Sequence, residues 1–284
     1  MFIINFGDRF ILRPHVSFTE LGLYALAYKI GMLISAAYAS FQIYWSAQAY
    51  GIMRRSDADH VFGRMVTYVV LGVAFCGLGV VAASKPVLRI LAAPAYFPAV
   101  ALVPLLVTAY CIRSIGEFFR CLFLVEGKPG YDAVCTWVAS TVCLTGYFLL
   151  IPRFGVWGAA EATAITFIVF TGISVAWAYR IRPYRLEWWR LAKVAVSLAA
   201  AGTLYGVVPV RRTVLEVAWG AFLISVFIAT LFVLKFFTTG ESRAIITLSR
   251  RLGFGRFVPR ASEGARTSFP EAGNACGASE DPAQ

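Results

Sequence analysis

The chain has 284 residues, 59% hydrophobic and only 14% charged, whereas soluble domains carry about 25% charged residues. Charge-free apolar runs of roughly 17 to 24 residues recur along it, each about the length that crosses a ~30 Å hydrocarbon core as a helix. This excludes a soluble enzyme, and the net charge of +11 is scattered between the runs, which fits membrane topology and anionic headgroups rather than nucleic acid.

The expected fold is all-α, a polytopic transmembrane helix bundle of about seven full spans plus a truncated first span. The first segment, 1–13, holds Asp8 and Arg9 within its apolar stretch and lacks a cleavage site, so it is no signal peptide. Full spans are expected near 20–50, 64–84, 97–124, 131–151, 155–179, 191–209 and 214–236. The breaks carry turn chemistry: Arg13-Pro14, Lys85-Pro86, Gly127-Lys128-Pro129-Gly130, Pro152-Arg153-Phe154-Gly155 and Arg182-Pro183. The helical lobe ends at 237. A basic amphipathic segment on the inner leaflet is expected over 238–258, and a disordered cytoplasmic tail over 259–284.

Lys and Arg in alternate connections set the orientation. Arg13, Lys85, Arg89, Arg153, Arg211 and Arg212 fall on one side. Arg54, Arg55, Arg64, Lys128, Arg180, Arg182, Arg185, Arg190 and Lys193 fall on the other, which is expected to be cytoplasmic with both termini. Trp188 and Trp189 fit an interfacial belt there. The cysteines, Cys76, Cys111, Cys121, Cys135, Cys143 and Cys276, read as small apolar residues and lack metal-ligand spacing.

The connections on the outer side are too short for a catalytic domain, and no metal motif, nucleophile triad or phosphate-binding loop appears. No enzyme activity and no cofactor are expected, so function is sought among intramembrane polar groups. Arg113, Glu117 and Arg120 stand four and three residues apart on one helical face, with Arg113 roughly 16 Å deep at the helical rise. Their net positive charge suits an anionic substrate; the competing reading is that Glu117 neutralises the arginines, which snorkel to the interface. In 20–50 a polar and aromatic stripe of Glu20, Tyr24, Tyr28, Gly31, Ser35, Tyr38, Gln42 and Trp45, flanked by Lys29, suits either sugar binding or helix packing. Glu161 and Asp8 are weaker candidates for ion coupling. Glu161 alternatively accepts a hydrogen bond from Thr163 or a neighbouring helix.

Asp8-Arg9, the stretch Leu21-Gly22-Leu23-Tyr24-Ala25-Leu26-Ala27-Tyr28-Lys29-Ile30, Glu126-Gly127-Lys128, and Ile151-Pro152-Arg153-Phe154-Gly155-Val156-Trp157-Gly158-Ala159-Ala160 together resemble polysaccharide biosynthesis flippases. These belong to the multidrug/oligosaccharidyl-lipid/polysaccharide exporter superfamily, built from two six-helix lobes, often with two extra C-terminal helices. The resemblance spans roughly 1–240 and matches the end of the seventh helix through the fourteenth. It implies a C-terminal lobe, expected to be a fragment, a truncated reading frame or a half-protein needing an N-terminal lobe. The implied activity is translocation of an undecaprenyl-diphosphate-linked oligosaccharide across the inner membrane, for exopolysaccharide or lipopolysaccharide. Arg113, Arg120 and Lys29 would face its diphosphate or acidic sugars. The alternatives are a drug or cation exporter of the same superfamily and a non-transporting scaffold of a polysaccharide assembly complex.

Overall fold

A computed structural model of the chain describes residues 2–91, 93–207 and 213–236. They form helices α1 (Phe2–Leu12), α2 (Phe18–Met53), α3 (Ala58–Leu91), α4 (Val103–Val125), α5 (Pro129–Ile181), α6 (Trp188–Val207) and α7 (Thr213–Val233), with a 3₁₀ segment over Pro94–Ala101. No strand occurs among the described residues. The expected amphipathic segment and tail, 238–258 and 259–284, lie outside them.

Four of the described helices, α2, α3, α5 and α7, are long and apolar enough to cross a membrane, and the bent pair Pro94–Ala101 plus α4 makes a fifth. Large apolar side chains cover the outer surface: Ile43, Trp137, Phe148 and Val233 are all exposed. In water such a surface would aggregate, whereas in lipid it is solvated. The chain is a membrane-embedded helical protein.

Local chemistry explains where the helices start and bend. Ser17 caps α2: its Oγ accepts from the Glu20 amide at 3.3 Å, and the Glu20 carboxylate accepts from the Ser17 amide at 2.9 Å, a reciprocal box that satisfies two end donors. Glu20 therefore belongs to a cap and not to the polar stripe. The turn expected at Lys85-Pro86 does not form, because α3 runs through Pro86 to Leu91. Proline leaves the carbonyl four residues earlier without its helical donor, and Gly220 of α7 packs closely on that carbonyl, the Ala82 oxygen. The run expected as one helix over 97–124 is broken instead. Its first part is the 3₁₀ segment, held by Pro94 and Pro98 and bent 51° from α4.

The long element α5 is two antiparallel arms. Residues 147 and 163 would be about 24 Å apart on a straight helix, yet Tyr147 Oη and Thr163 Oγ1 are 3.2 Å apart. Tyr131 and Trp177 meet edge to face at 4.8 Å, near the far ends of the arms. The reversal occurs at Gly155, whose φ of 56° favours glycine. Gly158 lets the arms close, since a Cβ there would overlap the Leu150 carbonyl. The two segments read from sequence on either side of Pro152–Gly155 are these arms.

Helices α2, α3, α4 and α5 surround one apolar core, α1 packs on α5, and the α6–α7 pair packs on α3. Helices α2 and α4 run in the same direction, with Tyr28 meeting Tyr110 at 5.6 Å and Trp45 meeting Phe118 at 5.1 Å. At one end of this bundle Arg182 draws three connections together. Its Nε donates to Asp59 at 2.5 Å, and its Nη1 donates to the Met53 carbonyl at 3.0 Å and to Glu126 at 3.4 Å. The Asp59 hydrogen bond raises the Arg182 pKa, so the clip keeps its charge.

Candidate functional site

Helix α4 presents Arg113, Glu117 and Arg120 on one face, as their spacing predicts. Glu117 bridges the two arginines: its Oε1 lies 3.7 Å from Arg113 Nε, and its Oε2 accepts from Arg120 Nη1 at 3.0 Å. A fourth charge, which sequence reading passed over, completes the row. Arg120 Nε donates to Asp132, in the first turn of α5. Asp132 is only twelve residues from Arg120, but the reversal at Gly127-Lys128-Pro129 separates them in sequence pattern. The signal available beforehand was an acidic residue in the first turn of a helix, where it also favours the helix dipole.

With Asp132 included, two arginines face two carboxylates and the formal charge balances. The net positive charge expected of this face rested on three members of what is a quartet. The side chains of Arg113, Glu117 and Arg120 retain 15%, 17% and 16% exposure and Asp132 28%, so the row is covered but not sealed. Aromatic faces from the second arm of α5 lie over the guanidiniums: Phe167 is 5.2 Å from Arg113 and Phe170 5.3 Å from Arg120. Such contacts stabilise a cation where water is scarce. The close approach of α4 to this arm needs Gly116, since a Cβ there would stand 2.7 Å from Thr171 Oγ1.

A second buried polar group lies nearer the other end. Tyr24 donates to Asp8 Oδ2 at 2.6 Å, and the Arg9 amide donates to Asp8 Oδ1 at 2.8 Å. Asp8, Tyr24 and Tyr28 are fully buried. Tyr28 packs on Tyr24 at 5.7 Å and on Tyr110 at 5.6 Å, and Arg113 lies 5.8 Å from the Tyr110 ring. A continuous line of polar and aromatic groups thus joins Asp8 on α1 to Asp132 on α5, through α2 and α4. The aromatic stripe of α2 is spent on this packing: Gly31 admits Tyr110, and Trp45 stacks among Phe41, Phe62 and Phe118.

The remaining sequence candidates stand apart from this line. Lys29 is exposed on α2, and Gln42 is half-buried; among the described residues neither has a side-chain hydrogen bond or ion pair. Glu161 is half-buried and also makes none among the described residues. Thr163, suggested as its donor, turns elsewhere, giving its hydroxyl to the Ala159 carbonyl at 2.9 Å and meeting Tyr147. Among the described residues no group of three or more His, Cys, Asp or Glu side chains is placed to hold a metal ion.

No protein-family model, no curated protein and no solved structure matches this chain.

Proposed function

We propose that the chain is one lobe of a membrane transporter that moves a lipid-linked oligosaccharide across the inner membrane in polysaccharide biosynthesis. The observation that carries this reading is the charged row of α4. Arg113, Glu117 and Arg120 lie between apolar helices, yet remain 15–17% exposed. Charge in such a setting is costly and points to a polar path. Counting each arm of α5 and α6 as a span gives the seven full spans of a flippase C-terminal lobe, with α1 as part of the preceding helix. A second lobe supplies the opposite wall, as in transporters that rock two repeats around a central site. Both termini are cytoplasmic, on the side richer in Lys and Arg.

In this mechanism the diphosphate competes with Glu117 and Asp132 for the guanidiniums. A salt bridge closes the row at rest, and an anionic headgroup opens it. Arginine suits the exchange because its planar fork accepts a carboxylate or a phosphate with the same geometry. The polyprenyl chain stays in the bilayer, and only the sugar and diphosphate traverse the polar face.

The charge balance of the quartet favours one other reading, a non-transporting scaffold of a polysaccharide assembly complex, in which the ion pairs only join α4 to α5. The test is translocation of a fluorescent undecaprenyl-diphosphate oligosaccharide in vesicles holding the chain with a flippase N-terminal lobe. The expected result is flipping that falls about ten-fold or more in Arg113→Gln and Arg120→Gln, the effect of losing roughly 1.4 kcal/mol of interaction. Full activity in both variants would remove the arginines from the path. No flipping, with stable co-purification of assembly enzymes, would establish the scaffold.

A further inference from the structure

Helices α4 and α6 each pack on α3 but scarcely on one another. Between them lies a groove of about 360 Å³, floored by residues such as Val73 and Leu78 and walled by Val107 and Ile112 of α4 and Val194 and Leu198 of α6. Of the few polar side chains on its walls, Thr108 and Cys111 are turned to backbone carbonyls, while the Tyr205 hydroxyl, at the end near Lys85, is buried without a hydrogen-bond partner among the described residues. Thr108 donates to the Pro104 carbonyl at 2.8 Å, and Cys111 lies 3.6 Å from the Val73 carbonyl. Away from Tyr205 such a wall offers little to a sugar or a peptide backbone, and suits a hydrocarbon chain.

Length and charge narrow the occupant. Along α3 the lining runs from Val70 to Val81 and along α6 from Leu191 to Tyr205, roughly 16 and 21 Å at the helical rise, which is one leaflet of a ~30 Å hydrocarbon core or somewhat more. Lys85 follows one turn beyond Val81, so a chain lying in the slot would bring its headgroup to this end. Its ammonium rests 4.4 Å from the ring centroid of Tyr205, itself a lining residue. Among the described residues Lys85 makes no ion pair; the nearby, buried Glu216 pairs through Oε1 with Arg89 at 2.8 Å, and its Oε2 has no hydrogen-bond partner. An apolar slot about one leaflet deep, with a cation at its mouth, is complementary to a membrane lipid with a negative headgroup.

We propose that the groove between α3, α4 and α6 holds one acyl chain of an anionic glycerophospholipid from the surrounding bilayer, with its headgroup phosphate on Lys85. The bound chain fills the gap between α4 and α6 and acts as part of the bundle. It is distinct from any transported lipid, and its binding does not require transport.

Native mass spectrometry tests this on the full chain released from bilayers of phosphatidylglycerol and phosphatidylethanolamine. One retained lipid is expected, with phosphatidylglycerol preferred. Lys85→Met lowers that preference about five-fold, the factor one basic residue supplies near an anionic surface. Gly202→Trp fills the groove, where a Cβ meets no atom within 4 Å, and abolishes retention. Ala195→Phe, a smaller filler on the same wall, gives the same result if the tryptophan variant fails to insert. Gly172→Trp, equally open but on α5, leaves the lipid bound. An unchanged preference in Lys85→Met, retention in both filled variants, or displacement by an equimolar polyisoprenyl phosphate would overturn the proposal.

Discussion

Glu117 holds two arginines at once, and Asp132 holds one of them a second time. The two acids therefore differ in what their loss leaves behind. Glu117→Gln removes a carboxylate from both arginines and leaves Asp132 on Arg120 alone, whereas Asp132→Asn leaves Arg120 still paired with Glu117. Breaking a fully buried ion pair costs about 3–5 kcal/mol; with the residual exposure of this row, about 2–3 kcal/mol is expected for Glu117→Gln and about 1 kcal/mol for Asp132→Asn. Thermal unfolding in detergent should show the larger drop for Glu117→Gln, and equal drops would contradict the bridging geometry. Tyr24→Phe gives a second residue-level prediction. It removes the 2.6 Å donor to a fully buried Asp8, with an expected loss of about 1–3 kcal/mol. Asp8→Asn, which keeps the shape and sheds the charge, is expected to restore part of that loss in the double variant. The spacing of Arg113, Glu117 and Arg120 was legible because a helix face follows from periodicity alone. Their partner Asp132 was not, since a contact across a chain reversal depends on how the two helices dock.

Among the elements, the α5 hairpin was legible for a related reason: Pro152 and Gly155 punctuate an apolar run too long for one crossing. Lys85-Pro86 carried similar punctuation and misled, because α7 packs a glycine onto the carbonyl that Pro86 leaves free. Proline reports a missing donor, and tertiary packing decides whether the helix stops there. The same logic ranks two glycines of the hairpin. Gly155→Ala adds a Cβ at φ 56° and ψ −128°, outside the left-handed helical region, a strain of about 1–3 kcal/mol. Gly158→Ala drives a Cβ into the Leu150 carbonyl, which only separation of the arms relieves. The 3.2 Å contact between Tyr147 and Thr163 is then lost. Hydrogen exchange over 145–165 should rise far more in Gly158→Ala than in Gly155→Ala. At the far end of the arms, Arg182→Lys is expected to behave as a loss of function for the clip. One ammonium cannot reach Asp59, Glu126 and the Met53 carbonyl together as a guanidinium fork does, and exchange at the ends of α2 and α4 reports the loosening.

At the scale of the whole molecule, the question is whether alternate connections gather at the same end, as counting Lys and Arg assumes. The contacts give that grouping a geometric basis independent of charge. Arg182 ties the end of α2, the start of α3 and the end of α4 to the connection after α5. At the opposite end, Val16 lies against Gly155 and Tyr96 lies against Gly22. Helices of this length place the two ends on opposite sides of a bilayer. In a background with the native cysteines replaced, a membrane-impermeant maleimide on intact cells should label Ala95→Cys and Arg153→Cys. Under the proposed orientation Arg55→Cys and Lys128→Cys should react only after lysis, since the end richer in basic residues is the one expected to stay cytoplasmic. A clean reversal of the two sets would keep the fold and invert the orientation, placing Lys85 and the lipid mouth in the inner leaflet. Labelling of one member from each set in intact cells would break the grouping itself. In that case neither the Arg182 clip nor the polar line from Asp8 to Asp132 describes the protein in the membrane.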